Sequence, residues 1–175
     1  MKLNRFFTVV ALAVLSLSLS SCNKEAEPIV LTGSWKIDTV GTVLGIVYNQ
    51  VYADENPVAL QFLRDNKEKM RKMLFDPQTI TFGTSGLATF NYVSIGQVSG
   101  TYTQTDFYFI VKNEFFPEGI NGASDNTYLE LYYTKAFLMD ILFSILTEND
   151  PPESVFIQLI DKFEAIGLYK KSITQ

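Results

Sequence analysis

The chain contains no histidine and only one cysteine among its 175 residues. Without histidine, the Ser-His-Asp triad, the Cys-His dyad, a histidine general base and the common zinc sites are all excluded. A single cysteine cannot form a disulfide within the chain, so the stability of the domain must come from packing. Basic residues are also few, 14 against 19 acidic ones. The net charge of −5 argues against a nucleic-acid-binding protein.

Motifs for catalysis or for metal and cofactor binding are also missing. The sequence has no G-x-S-x-G nucleophile motif, no P-loop and no G-x-G-x-x-G segment. Glu114, Glu118 and Asp125 lack the spacing of a calcium-binding loop. A carboxylate pair can hydrolyse a glycoside without histidine, but no spacing singles out a pair among Asp106, Glu114 and Glu130. The sequence therefore predicts a non-enzymatic protein with no catalytic residue, no metal and no cofactor.

The first 21 residues have the composition of a secretory signal peptide. Lys2 and Arg5 precede an apolar run over residues 6–19, and the first acidic residue is Glu25. The apolar run is shorter than the roughly 20 residues that cross a bilayer as a helix. We therefore expect residues 1–21 to be an export signal rather than a membrane span.

The segment Leu19-Ser20-Ser21-Cys22 resembles the bacterial lipobox. The resemblance implies that the Cys22 thiol receives a diacylglycerol, that residues 1–21 are removed, and that the new amino group is acylated, for example with palmitate. Two or three acyl chains hold a protein stably on a membrane. The alternative is an ordinary secretory peptide with a chance cysteine beside its cleavage site.

Residues 22–30 are predicted to be a tether, because the segment after Cys22 is polar and charged and reaches Pro28. Position 23 is Asn rather than the Asp that retains lipoproteins of enteric bacteria in the inner membrane. The resemblance thus implies an outer-membrane lipoprotein, on the periplasmic face or on the cell surface.

Residues 31–175 show no internal repeat and are predicted to form one domain. Asn56 and Pro57 favour a helix start, and apolar residues follow at three- and four-residue steps. Alternating β-branched and aromatic residues predict strands elsewhere, joined by glycine-rich turns. The predicted helices cover residues 57–74, 135–147 and 154–166. The predicted strands cover 31–40, 45–52, 78–82, 87–94, 97–103, 107–112, 127–134 and 168–173, with a loop over 115–126.

Gly33-Ser34-Trp35 in the first strand resembles the G-x-W motif of lipocalin-like barrels, and Ile80-Thr81-Phe82 and residues 98–102 fit the lipocalin-like lipoproteins of Bacteroidetes. The resemblance implies a mainly β fold with added helices (α+β), built on an antiparallel eight-stranded barrel. It also implies that Trp35 closes one end of the barrel against a basic residue of the last strand. Lys170 is the candidate for that residue, with Lys171 as the alternative.

In such a family the barrel encloses a small apolar or amphipathic molecule. An eight-stranded barrel can hold one ligand or be filled by its own side chains. If the barrel is filled, we expect a surface or scaffold protein that binds a protein or polysaccharide through loops such as 115–117. The residues predicted to face the lumen are Phe90, Tyr92, Phe107, Phe109, Leu129 and Leu131.

Overall fold

The computed structural model describes residues 28–172. The predicted signal peptide, Cys22 and most of the predicted tether lie outside these residues. None of the helices within 28–172 is long and apolar enough to cross a bilayer.

Nine strands within residues 28–172 form one antiparallel sheet. Eight of them follow the order β1-β3-β4-β5-β6-β7-β8-β9, and β9 pairs in turn with β1, which closes the barrel. The prediction of a mainly β protein with added helices, built on an antiparallel eight-stranded lipocalin-like barrel, is confirmed. The strands are β1 (Gly33–Ile37), β2 (Val43–Tyr48), β3 (Thr79–Phe82), β4 (Leu87–Tyr92), β5 (Gly96–Thr105), β6 (Tyr108–Lys112), β7 (Ile120–Ser124), β8 (Tyr128–Tyr133) and β9 (Ile160–Lys171).

The strand outside the closed barrel, β2, follows β1 along the same edge of β9. β1 pairs with residues 169–171 of β9, and β2 pairs with residues 160–166. Because β8 pairs with β9 only as far as Ala165, the first residues of β9 pair with β2 alone. This two-stranded ribbon extends beyond one end of the barrel. We call this end the mouth.

In the described part of the chain, four helices pack around this ribbon and form a helical cap at the mouth. They are α1 (Gln50–Glu55), α2 (Pro57–Met73), α3 (Lys135–Ser144) and α4 (Glu153–Leu159). α2 contacts β2 and the other three helices, while α3 and α4 contact β9. Leu63 of α2 and Phe156 and Leu159 of α4 are fully buried. The cap thus has an apolar core that continues from the barrel core.

Most element ends differ from the sequence prediction by one to three residues, and in three places the type of element differs as well. The strand predicted over 45–52 ends at Tyr48, because the Asn49 side chain accepts the Tyr52 N–H at 3.1 Å and begins α1. The loop predicted over 115–126 contains β7, whose central residue, Gly122, gave no strand signal. The helix predicted over 154–166 ends at Leu159, and the chain continues as β9.

The inside of the barrel is filled by its own side chains. Large inward residues are fully buried, among them Trp35, Phe90 and Tyr169. The Phe82 ring contacts Phe109 edge-on, with 5.6 Å between the ring centroids. The apolar core therefore occupies the space in which the family resemblance places a ligand.

Residues 28–31 lie across the end of the barrel opposite the mouth, which we call the closed end. The Val30 N–H donates to Asn126 Oδ1 at 2.7 Å, and the Gln104 amide donates to the Ile29 carbonyl at 2.8 Å. The Trp35 indole N–H donates to the Leu31 carbonyl at 2.7 Å. The first described residues therefore cover this end from outside while Trp35 fills it from inside.

The basic partner of Trp35 is Lys171 rather than Lys170. The Lys171 ammonium lies 5.1 Å from the Trp35 ring centroid and also donates to the Val30 carbonyl at 3.0 Å. Lys170 instead forms an ion pair with Asp38 at 2.9 Å. The cause is strand alternation: Trp35 is in register with Lys171, so the neighbouring Lys170 points to the opposite face.

Candidate functional site

A pocket of about 310 Å³ lies between the helical cap and the barrel mouth. We call it the mouth pocket. Its walls come from the end of α2 and the loop after it, the β4–β5 and β6–β7 loops, the end of β8, and α3. Five aromatic residues dominate the lining: Tyr92, Phe115, Phe116, Tyr133 and Phe137.

The barrel and α3 together fix these aromatic residues. Tyr92 ends β4 and Tyr133 ends β8, so strand alternation places both on the inward face at the mouth. Phe137 lies in the first turn of α3, where the Thr134 hydroxyl accepts its N–H at 3.3 Å. The Tyr133 and Phe137 rings stack with centroids 5.2 Å apart, and Phe116 contacts Phe137 at 5.0 Å. The result is a continuous aromatic wall.

Asp76 holds the β4–β5 loop against this wall. Its carboxylate accepts the Val93 N–H at 2.8 Å and the Ser94 hydroxyl at 3.1 Å. Within the described part of the chain, Asp76 is the one charged residue that lines the pocket. The lining is therefore apolar apart from one carboxylate, a serine hydroxyl and two phenols.

Asn113 shapes the β6–β7 loop behind the wall. Its Oδ1 accepts the N–H groups of Phe115 and Phe116, each at 2.9 Å. Its Nδ2 is buried and has no hydrogen-bond partner among residues 28–172. Burial raises the pKa of Tyr92, and the Asn113 side-chain amide near the Tyr92 hydroxyl opposes part of that rise.

The tyrosine hydroxyls at the mouth remain protonated well above neutral pH. Burial raises the pKa of Tyr133 to about 12. Burial also raises the pKa of Tyr92, and the nearby Tyr133 adds to the rise. Tyr169 lies below them, and its hydroxyl donates to the Pro77 carbonyl at 3.3 Å. The phenols therefore contribute no negative charge to the pocket at physiological pH.

These raised pKa values predict that the protein loses stability in alkaline solution. An exposed tyrosine in the unfolded chain ionises near pH 10, while Tyr133 keeps its proton to about 12 in the fold. Between these values the unfolded state binds fewer protons, so the free energy of unfolding falls as the pH rises, by up to about 1.4 kcal/mol per pH unit for each such tyrosine.

Tyr133→Phe should flatten this decline relative to the wild type, measured as urea midpoints from pH 8 to 11.5. The matched control is Tyr108→Phe, since Tyr108 is exposed on the barrel wall. Equal slopes for Tyr133→Phe and the wild type would show that Tyr133 is not buried as described.

The residues predicted to face the lumen divide into three groups. Phe90, Phe109, Leu129 and Leu131 are buried inside the barrel, where they fill it. Tyr92 lines the mouth pocket. Phe107 requires a correction: it lies in the turn before β6 at the closed end and is 45% exposed. Asp106 adopts a left-handed conformation there, so the strand begins one residue later, at Tyr108.

Most of the mouth pocket was not predicted from the sequence. Phe115 and Phe116 were predicted only as loop residues available to a macromolecular partner, while Asp76 and Phe137 were not singled out. The pocket joins four segments that are separate in the chain, over residues 73–77, 92–95, 115–116 and 133–141. The spacing of residues within any one of these segments does not indicate a pocket.

Groups of three or more potential metal ligands are absent from residues 28–172. No protein-family model, no curated protein and no solved structure matches this chain. The fold and the site define a filled β-barrel with a helical cap and an apolar pocket between them.

Proposed function

We propose that this protein is a lipid-anchored, lipocalin-like protein of the cell envelope that binds a small amphipathic molecule in the mouth pocket. The observation that supports binding is the pocket itself. Its volume of about 310 Å³ lies at the lower end of the range of small-molecule sites. Its aromatic walls with a few polar groups are also typical of such sites.

The filled barrel favours the mouth over the lumen as the binding place. Phe82, Phe90 and Phe109 occupy the centre of the barrel. A ligand in the lumen would have to displace these side chains from a packed core, which costs contacts throughout it. A ligand at the mouth needs only to enter space that is already open.

The proposed anchor is compatible with access to this pocket. Residues 28–31 lie at the closed end, where the Pro28 carbonyl accepts the Asn126 amide at 3.2 Å. A chain lipidated at Cys22 would therefore approach the bilayer with its closed end, and the mouth pocket would face away. The lipobox resemblance and the G-x-W motif support placing the protein among the lipocalin-like lipoproteins of the Bacteroidetes outer membrane.

A second candidate function is the binding of a polysaccharide or protein on the barrel wall. Phe107, Tyr108 and Tyr128 are each more than a third exposed on one outer face. Two shallow grooves lie beside them, one lined by Thr103 and Asn121 and the other by Glu130. Exposed aromatic residues next to polar groups mark interaction surfaces.

Binding of the neutral fluorophore N-phenyl-1-naphthylamine tests the choice between these functions. Phe115→Ala should weaken binding about tenfold, because an aromatic ring is lost from the pocket wall. The matched control is Phe107→Ala, since Phe107 is 45% exposed and Phe115 is 43% exposed. Phe107→Ala should leave the affinity unchanged.

If Phe107→Ala weakens binding of the fluorophore more than Phe115→Ala does, the barrel wall is the favoured site. If the wild type does not bind the fluorophore, the proposed pocket is contradicted. Native mass spectrometry of the protein purified from its own host is the complementary measurement. We expect a retained small molecule that is absent from Phe115→Ala.

A further inference from the structure

We infer that the ligand of the mouth pocket carries a positively charged nitrogen, as a quaternary ammonium or protonated amine on a short apolar tail. This inference rests on the proposed function, because it names the chemical class of the molecule held there. Two independent features support it: the sign of the charge in the pocket lining and the number of aromatic rings around it.

The first feature is the charge. Asp76 lines the pocket, and its carboxylate accepts the hydroxyl of Ser94, which lines the pocket too. No lysine or arginine among residues 28–172 lines it. Arg71, in the last turn of α2, is engaged by Glu68 at 2.8 Å and by the Thr39 carbonyl at 2.7 Å. An anionic head group would therefore meet a carboxylate without a compensating cation, whereas a cationic one would be attracted.

Asp76 also has spare capacity to interact with a ligand. From the residues that the structure describes, its Oδ1 accepts one hydrogen bond, from the Val93 N–H, and its Oδ2 accepts one, from the Ser94 hydroxyl. A carboxylate offers about four acceptor positions in total. The remaining positions allow the group to accept from a ligand N–H or to lie against a quaternary ammonium without releasing the β4–β5 loop.

The second feature is the aromatic lining. Tyr92 contacts Phe115 with 5.3 Å between centroids, and Phe116, Tyr133 and Phe137 form the rest of the wall. Aromatic rings attract cations through the negative potential of their faces, and quaternary ammonium ligands are recognised by groups of such rings.

The test compares three molecules with the same eight-carbon tail. Octyltrimethylammonium, octanol and octanoate are each used to displace N-phenyl-1-naphthylamine from the full domain at low ionic strength. We expect the ammonium compound to bind at least tenfold more tightly than octanol, and octanoate to bind most weakly. Added salt should reduce the preference for the ammonium compound.

Two variants assign this preference to residues. Asp76→Asn keeps an acceptor for the Val93 N–H, and it should weaken ammonium binding about tenfold while leaving octanol binding unchanged. Phe115→Leu keeps an apolar side chain but removes a ring, and it should also reduce the preference for the ammonium compound. The control is Asp125→Asn, which removes the same charge at the closed end and should change neither affinity.

The outcomes separate this inference from the proposed function. If octanol binds as tightly as the ammonium compound, or octanoate binds most tightly, the inference is overturned while a binding pocket remains. If the fluorophore and all three molecules fail to bind, the proposed function itself is wrong. Unfolding midpoints of each variant within experimental error of the wild type confirm that affinity changes come from the pocket.

Discussion

Cells expressing Cys22→Ala are expected to yield protein that carries no fatty-acid label, whereas the wild type is fully labelled by an alkyne analogue of palmitate. In the lipobox that residues 19–22 resemble, the cysteine thiol accepts the diacylglycerol, and alanine has no nucleophile to replace it. Without acyl chains, the negative charge of the domain gives it no electrostatic attraction to anionic lipid. The effect should therefore be complete loss rather than a reduction.

Labelling is the appropriate readout because an uncleaved apolar segment over residues 6–19 would itself hold Cys22→Ala on a membrane. Ser21→Ala is the matched control, since alanine is another small residue at that position of a lipobox, and its labelling should equal that of the wild type. Label on Cys22→Ala, or none on the wild type, would contradict lipid anchoring. The fold and the mouth pocket would be unaffected by that result.

The second large effect is expected inside the barrel, where Gly122→Ala should strongly destabilise the domain. Gly122 of β7 lies opposite Phe109 of β6 and Leu131 of β8. A Cβ atom at this position would overlap the Phe109 ring and lie 2.5 Å from the Glu130 carbonyl oxygen. Because the strand and ring must both shift, we expect a loss of about 3 kcal/mol in the free energy of unfolding.

Gly45→Ala provides the control for this substitution. Gly45 is an exposed residue of β2, and an added Cβ atom would meet the Glu164 carbonyl oxygen at 3.7 Å, an ordinary contact. The free energy of unfolding of Gly45→Ala should rise by less than about 1 kcal/mol. Urea unfolding measures both variants. Equal midpoints for Gly122→Ala and Gly45→Ala would contradict the described packing of Phe109 against β7.

The part of the fold predicted correctly is the part determined by local sequence. The turn over residues 83–86 joins β3 and β4 as expected, and alternation in β8 places Leu129 and Leu131 inside. Antiparallel neighbours joined by short turns need no information from distant residues. The meander from β3 to β6, and from it the expectation of a closed barrel, could therefore be predicted, although β7 was missed.

The region around residue 160 could not be predicted from local patterns. Phe156, Leu159, Ile160 and Phe163 recur at three- and four-residue steps, which fits a helix. The chain changes to a strand at Ile160 because β2 supplies hydrogen-bonding partners for residues 160–166, and β8 pairs with the other side of β9 from Ala165 onward. Those partners lie more than 25 residues away in sequence, so tertiary pairing overrides the local period.

The candidate site, too, could be predicted only in part from local sequence patterns. Tyr92 was predicted because it alternates with Phe90 along β4, although it lines the mouth and not the centre of the barrel. Asp76 and Phe137 become neighbours of Tyr92 only when the helical cap covers the mouth. The residues that line a pocket between the barrel and the helical cap follow no pattern within the sequence of either part.

Chemical-shift mapping of the isotope-labelled domain with octyltrimethylammonium tests the central claim most directly. The ligand should shift the backbone amide signals of Ser94, Phe115 and Phe137 in proportion to occupancy, while those of Tyr108 and Tyr128 stay in place. Shifts confined to the outer face around Tyr108 and Tyr128, or no saturable shifts at the mouth, would contradict a binding site between the barrel and its helical cap.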